Sequence, residues 1–461
     1  MESRKFITVV LTTTMASFIV AYTSVVPALA LPSIAKAFNL NNFMQNWVIN
    51  AFLFSVAIFA VPTGNLAGKW GLKKSFLLGN IIFLIGAVIT SFAFSPMALI
   101  LFRAFQGVGA ALIYNTVMNI VAVAIPEENR GKAIGIVVAG VNLGLVLAPT
   151  LGGILTYNLG WESIFLFTVP FLLLIIPITY LLISEEWKIG ENDKFDVRGG
   201  ILWMITIFLL IYGFTSINHI DGIVMLISGI FLLVLWNYLE LRVKNPVYDV
   251  KVFEDKRFKY ANLSSFLIYI GSYFVTYVLS YHLQYILGWN SEMAGLLLMV
   301  TPIIQIVISP YMGRLSDKAN PLKIASLGII LIVFSLVTLD LLIRLPDSLV
   351  IIVLSMIFLG VGMGVYTSPN TNVIMSSVKP EDTPTASVSV TIIRVIGQST
   401  SSSLLIIIFT MIMGSVEIIP KYYALLSLSI HWTCIIGTIL CIFALFASLI
   451  GYKYSLNMKN P

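Results

Sequence analysis

The sequence predicts an all-α membrane protein, and three observations carry that prediction. Its 27 basic and 21 acidic side chains make up 10 % of 461 residues, against roughly 25 % in a soluble globular domain. Hydrophobic residues reach 58 % and mean hydropathy is +0.97. The apolar stretches recur along the whole length instead of forming one anchor, which excludes a water-soluble enzyme.

Taking about 20 apolar residues as one bilayer crossing, fourteen spans follow in order: 6–29, 47–68, 75–93, 97–122, 133–157, 163–183, 199–216, 222–240, 261–285, 293–313, 323–343, 348–374, 386–413 and 425–452. Span 1 follows Arg4 and Lys5 and ends near Ala28-Leu29-Ala30, which imitates a signal peptide. Its apolar run is too long for one, and thirteen further spans follow. An even number of spans puts both termini on one side. With cytoplasmic termini, 22 of the 27 Lys and Arg lie in inner segments, Lys36, Arg344 and Lys421 lie outside, and Arg103 and Arg394 remain within spans. Positive residues concentrate on the cytoplasmic side, so the plasma membrane with inward termini is expected. The same asymmetry explains the net charge of +6 as an orientation signal facing the lipid bilayer, and no nucleic-acid partner is expected. The two longest inner segments, 184–198 and 241–260, read as solvated connections. Cys434 and Cys441, seven residues apart in an apolar span, read as core packing and not as a disulfide framework or zinc ligands.

The segment from Gly64 through Leu66, Ala67, Gly68, Lys69 and Gly71 to Lys73 and Lys74 joins spans 2 and 3. A matching segment, Gly313, Leu315, Ser316, Asp317, Lys318 and Lys323, joins spans 10 and 11 at an offset of 249 residues. This repeat points to a duplicated six-helix unit with spans 7 and 8 inserted. The expected organisation is therefore a bundle over 1–183, the inserted pair with its flanks over 184–260, and a second bundle over 261–461.

Further motifs stand in a fixed order. They are Gln45-Asn-Trp47-Val48-x-x-Ala51-Phe52 in span 2, Arg103-Ala-Phe-Gln106-Gly107-Val-Gly109-Ala110-Ala111 in span 4, and Gly144-x-x-x-Ala148-Pro149-Thr-Leu-Gly152-Gly153 in span 5. Trp161-Glu-Ser-Ile164-Phe165 opens span 6, Phe195-Asp196-x-x-Gly199 precedes span 7, Asn245-Pro246 and Val252-Phe253 follow span 8, and Arg394-Val-Ile-Gly397 lies in span 13. In these the chain resembles the major facilitator superfamily, in particular its fourteen-helix drug:proton antiporter branch. The resemblance implies a major facilitator fold, two pseudo-symmetric six-helix bundles plus two inserted helices. It implies alternating access and proton-coupled export of amphipathic drugs. It further implies that the loop residues Gly64, Lys69, Gly71, Asp317 and Lys318 clamp an inner gate. The chain departs from the family pattern at three places: Thr23, Gly68 and Leu145 stand where relatives carry carboxylates.

Without those carboxylates the residues themselves suggest the site. A charge at the bilayer centre costs at least about 2.5 kcal/mol, so Arg103 and Arg394 face either a hydrated cavity or hydrogen-bonding protein groups. Gln106, Gly107, Ala110 and Tyr114 continue one helical face from Arg103; Ser387, Thr391, Arg394, Gln398 and Ser401 do the same in span 13. Tyr269, Tyr273, Tyr277, Tyr281 and Tyr285 recur every four residues in span 9. Their rings suit aromatic or cationic ligands, or they belong to interfacial belts and helix packing. The candidate substrate residues are thus Arg103, Gln106, Tyr114, Tyr273, Tyr277, Tyr281, Thr391, Arg394 and Gln398, with Tyr22 in span 1. His282 and Asp340 are the candidate coupling groups, Asp340 also pairing with Arg344 four residues on. Gly144, Pro149, Gly152 and Gly153 give span 5 a smooth face for close packing or pivoting. Gly360-x-Gly362-x-Gly364 lacks the strand and lysine of a nucleotide loop and reads as helix packing. His219, His282 and His431 have no metal-ligand spacing and no catalytic motif stands in context, so no enzyme activity, metal or cofactor is expected. The expected partners are a small amphipathic substrate and protons, and the expected state is a monomer. The buried arginines keep a second possibility open, a carrier of an anionic or zwitterionic amphiphile.

Overall fold

The protein is described by a computed structural model covering residues 2–188, 196–217, 219–243, 246–341, 345, 348–379, 383–414 and 416–457. Among these residues the regular structure is helical throughout. The α-helices are α1 (Glu2–Val25), α2 (Pro27–Phe38), α3 (Asn42–Trp70), α4 (Leu72–Ser91), α5 (Pro96–Ala124), α6 (Glu127–Leu159), α7 (Ser163–Leu166), α8 (Val169–Leu182), α9 (Val197–Thr215) and α10 (Ile220–Glu240). After them come α11 (Lys256–Ser272), α12 (Val275–Tyr281), α13 (Ser291–Leu298), α14 (Val300–Lys318), α15 (Pro321–Asp340), α16 (Leu349–Ser376), α17 (Thr383–Met413) and α18 (Tyr423–Asn457). Fourteen stretches are long and apolar enough to cross a membrane. They match the fourteen expected spans in order.

The spans are interrupted where the local chemistry dictates. Span 1 ends at Val25 because Pro27, which has no N–H, opens α2 as its first residue; α2 then runs to Phe38 and stops at Asn39, whose φ of 52° is left-handed. Span 9 is α11, α12 and a π-helical turn at His282–Ile286. Between α11 and α12, the Phe274 N–H turns away from the helix and donates to Ser401 Oγ of α17 at 3.1 Å. Many polar residues inside apolar spans are satisfied locally. Thr12, Thr90 and Thr116, for example, donate to carbonyls four residues back at 2.9, 2.6 and 2.7 Å.

Contacts divide the chain into two compact units, 1–40 with 47–248, and 41–46 with 249–461. In the first, α6 packs on α1, α4 on α5, and α9 on α10. The inserted helices meet through Trp203 and Trp236, whose rings lie 4.9 Å apart, and dock on α3: Trp203 Nε1 donates to the Ala57 carbonyl at 3.4 Å and Phe208 packs on Phe54 at 5.6 Å. In the second, α16 lies against α14 and α15, while α18 lies against α11 and α15. Gly360, Gly362 and Gly364 let α16 approach both neighbours. A Cβ there would meet the Thr301 carbonyl at 2.7 Å, Ile332 at 2.8 Å and Ile308 at 2.9 Å, so this triad serves helix packing. Cys434 and Cys441 are buried and unbridged.

Two connections differ from the solvated chain that the sequence suggests. Trp187 is buried and Glu186 half-buried, because 184–188 folds back on the start of α4. Val252, in a short 3-10 turn (Val250–Glu254), packs into a core with Phe258, Leu322, Val373 and Ala386. In both places free backbone amides or apolar side chains near a helix start find partners in the connection.

Candidate functional site

Arg103 sits inside the first unit with no exposed surface. Its Nη1 donates to Gln106 Oε1 at 2.7 Å, its Nε to the Val48 carbonyl at 3.3 Å and its Nη2 to the Thr23 carbonyl at 3.5 Å. The Phe52 and Phe165 rings lie 4.5 and 5.3 Å from the guanidinium carbon. The polar face that begins here continues along α3. A Cβ on Gly107 would meet the Phe52 carbonyl at 2.6 Å, and Asn115 donates to the Ala60 carbonyl at 2.6 Å and to Thr63 Oγ1 at 2.9 Å. Of the two readings open to Arg103, these bonds describe the guanidinium held by protein groups. Gln106 is equally buried, while Tyr114, one turn before Asn119, is half-buried.

The span 5 motif lies on α6 against α1. Added Cβ atoms at Gly140 and Gly152 would meet Thr14 Cγ2 and Val26 Cγ2, both at 2.5 Å, and one at Gly144 would collide with the Phe18 carbonyl. The steps 14 and 18 on α1 and 26 in the turn after it mirror 140, 144 and 152 on α6. Pro149 and Gly153 are buried in the same face. Tyr22 belongs to this seam too. It is fully buried, its ring 5.1 Å from Phe167 and 6.3 Å from Phe18.

The second unit holds the tyrosine band. Tyr273 is half-buried and Tyr277 buried, with Tyr277 Oη donating to Tyr273 Oη at 3.2 Å and the rings edge-on at 5.6 Å. Tyr281 packs on Phe409 at 5.7 Å and bonds Asn46 Oδ1 at 3.5 Å; Tyr285 bonds Gln45 Oε1 at 3.4 Å, both partners lying in the 41–46 segment of this unit. The strict four-residue spacing is accommodated by the break at 273–274 and the π turn, which re-aims the band near its end. The polar face of α17 divides. Ser401 accepts from the Phe274 N–H and so meets the break between α11 and α12, Thr391, Arg394 and Gln398 remain half-buried, Arg394 one turn before Gly397, which lies against Tyr269, and the Ser387 side chain lies outside the described residues; Ser389, off this face, donates to Asn262 Oδ1 of α11 at 3.1 Å.

The two repeated loops solve one problem differently. At the offset of 249, Gly71 corresponds to Asn320. Asn320 caps its own helix, accepting from the Leu322 N–H at 3.0 Å. Gly71 has no side chain to do so, and the cap comes from far along the chain: Leu72 N–H donates to the Trp187 carbonyl at 2.8 Å and Lys73 N–H to Glu186 Oε1 at 2.9 Å. A side chain on Gly71, at φ 125°, would run into that carboxylate. Lys73 Nζ donates to the Tyr180 carbonyl at 3.3 Å, and Lys5 pairs with Glu185, whose carboxyl the bond holds below the usual range. Gly64 lies beside Asn115, Lys69 is half-buried and Lys318 exposed; the Asp317 side chain lies outside the described residues.

His282 is buried at the start of the π turn. Asp340 does not stand alone. Its Oδ1 is 2.6 Å from His431 Nδ1 of α18, a partner 91 residues away, while Arg344, the partner suggested by helical spacing, lies outside the described residues. Sequence reading missed His431 and Glu186 because neither has a local signal; only the bare Gly71 at a helix start, against Asn320 in the repeat, hints that a remote cap is needed.

The Major Facilitator Superfamily model matches residues 11–402 and, again, 261–457. The chain belongs to this superfamily. Its relatives include the riboflavin transporter RibZ of Clostridioides difficile, 28 % identical over 77 % of both chains. The multidrug resistance protein Stp of Mycobacterium tuberculosis is 26 % identical over 83 % of this chain and 72 % of its own. Solved structures agree on the fold. A bacterial homolog of the human lysosomal transporter Spinster, inward-facing and unoccupied, matches with a TM-score of 0.66 at 19 % identity over 98 % of each chain. A POT family transporter in complex with 5-aminolevulinic acid matches at 0.71 and 16 % identity over 96 % of each. The superfamily member described here is a multi-pass membrane transporter.

Proposed function

We propose that this transporter exports amphipathic aromatic compounds in exchange for protons, as a monomer of the fourteen-helix drug:proton antiporter branch, in the plasma membrane with both termini cytoplasmic. The observation that carries the reading is the Tyr273–Tyr277 pair: one ring half-buried and one buried, hydroxyls 3.2 Å apart, in a span where five tyrosines recur. Such a pair offers π faces to a flat ligand and oriented hydroxyls at its edge. The named relatives, one for riboflavin and one for multiple drugs, fit a flat, amphipathic ligand. The concentration of 22 of 27 basic residues in inner segments supports the orientation.

A second reading rests on Arg394, half-buried one turn before Gly397, which lies against Tyr269, and flanked along α17 by Thr391 and Gln398. A guanidinium in that setting suits an anionic or zwitterionic amphiphile. Everted vesicles carrying the transporter and a pH-sensitive dye separate the two. Accumulation of ethidium with loss of the interior acidity supports the first; movement of fluorescein but not ethidium supports the second. Transport of neither, nor of riboflavin, refutes both.

A further inference from the structure

A proton-coupled carrier needs a group that takes up and gives back a proton, and where the pattern this chain resembles implies carboxylates it has Thr23, Gly68 and Leu145. His282 is sealed at 1 % exposure. Glu240, also buried, accepts from the Tyr248 amide and lies against Gly199, tying the inserted helices together. His431 and Asp340 differ from both. Their side chains keep 25 % and 28 % of their surface, and the 2.6 Å bond joins two different helices, α18 and α15, that pack along their length. Each belongs to an otherwise apolar span.

We propose that His431 and Asp340 form the proton-loading site of the second unit, rest this on the proton-exchange reading above, and assign the exchangeable proton to His431 Nε2. With Nδ1–H donated to the carboxylate, the neutral ring presents Nε2 as an acceptor. Proton uptake there makes an imidazolium paired with Asp340, and α18 is drawn to the end of α15; release restores the neutral ring and the weaker bond. Asp340 is the last residue of α15 and His431 lies eight residues from the start of α18, so in the proposed orientation protons reach the pair from outside.

Cys434, one turn deeper on α18, is buried, and Asp340 acts on it electrostatically. Toward the same end, the turn before α18 carries Lys421 stacked on Tyr422, Tyr423 opens α18, and the π turn carries His282 and Tyr285, the latter bonded to Gln45. The charged residues of α14, Arg314, Asp317 and Lys318, precede the start of α15, twenty residues or about 30 Å from Asp340. Tyr260 of α11 stacks on Tyr454 at the far end of α18, which sets the basic start of α11 at the opposite end from His431. Tyr366 of α16 bonds Ser264 and Ser265 of α11, and Arg394 of α17 stands beside Tyr269.

The test uses the full-length protein in two arms. In detergent, protein with 13C-labelled histidine gives three ring signals, assigned with H219Q, H282Q and H431Q. The His431 signal is expected to move with pH, and its response to change in D340N; a signal that stays still from pH 5 to 8.5 overturns the proposal. In proteoliposomes with ethidium as probe, the initial rate is expected to vary with outside pH in the wild type and to become flat, within twofold, in H431Q. A wild-type pH profile in a monodisperse H431Q overturns it. If the wild type moves no ethidium, the export reading fails and the histidine titration alone decides the site; if H431Q does not fold, the wild-type and D340N titrations decide it.

Discussion

Arg103→Ala tests whether this guanidinium holds helices together or holds a ligand. The substitution removes three hydrogen bonds, at 2.7, 3.3 and 3.5 Å, and two ring contacts at 4.5 and 5.3 Å. The bond to Gln106 is short and charge-assisted, contributing about 1.5–3 kcal/mol, and leaves a buried carbonyl oxygen without its partner. The Val48 and Thr23 carbonyls sit in helices and lose less. The ring contacts contribute about 0.5–2 kcal/mol each when desolvated. Against this, the cost of keeping a cation out of water disappears, and that cost is several kcal/mol. These terms nearly cancel, and the cavity left by a large-to-small change at a fully buried position sets the balance, a destabilisation of about 3 kcal/mol. For a unit of this size that corresponds to a fall of about 6–12 °C in Tm. Tryptophan-fluorescence melts of the purified transporter measure it, with Arg103→Lys expected to recover part of the loss and Arg394→Ala, half-buried and beside Tyr269, expected to melt within about 2 °C of the wild type. An Arg103→Ala protein that melts like the wild type but transports nothing refutes the reasoning and makes Arg103 a ligand-binding group.

Four further outcomes are expected. Gly71→Ala places a side chain at φ 125° against the Glu186 carboxylate, costing about 1–3 kcal/mol, whereas Glu186→Ala, which uncaps Lys73, costs about 1 kcal/mol; a double variant no worse than Gly71→Ala alone confirms that both act on one contact. Gly144→Val drives a side chain into the Phe18 carbonyl and parts α1 from α6, so the detergent-purified protein is expected to aggregate on gel filtration. Tyr277→Phe deletes the donor of the 3.2 Å bond to Tyr273 and is expected to raise KM for an aromatic probe several-fold with Tm unchanged. Because Lys5 holds the Glu185 carboxyl below its ordinary value, that contact contributes above about pH 4.5 and fades as pH falls through the lowered value; a melt of Glu185→Gln is expected to lose this small acid-side slope.

How much of this was legible in the sequence follows from the range of the physics involved. The spans were legible because a bilayer imposes a length of about 20 apolar residues on each, and the repeat because five residues of a short turn kept their spacing. Helix partners were legible in part. The small residues of span 5 announced a close approach, though not that Thr14, Phe18 and Val26 would receive it. A polar face on a helix says only that it must meet something polar: for Arg103 that proved to include α3, for Ser401 it proved to be the break between α11 and α12, and no periodicity distinguishes Ser401 from Thr391, Arg394 and Gln398. Pairings over long separations were not legible. Asp340 met His431, 91 residues away, and Lys73 met Glu186, 113 away. Helical spacing pointed Asp340 at a nearer residue, because spacing along one helix is the only geometry a sequence displays.

The way Glu186 and Trp187 grip the turn before α4 bears on how two extra helices can be accommodated. A connection leaving α8 at random would let the added pair wander and tug on whatever preceded it. Here the outgoing chain is moored within a few residues of its departure, to a backbone more than a hundred residues upstream, with Lys5 as a second mooring. Strain arising beyond that point is absorbed at the mooring. The inserted pair still docks on α3 through Trp203 and Phe208, but the chain that leads to it is held at its departure, so lengthening or shortening the stretch after residue 188 is predicted to be tolerated where cutting the mooring itself is not.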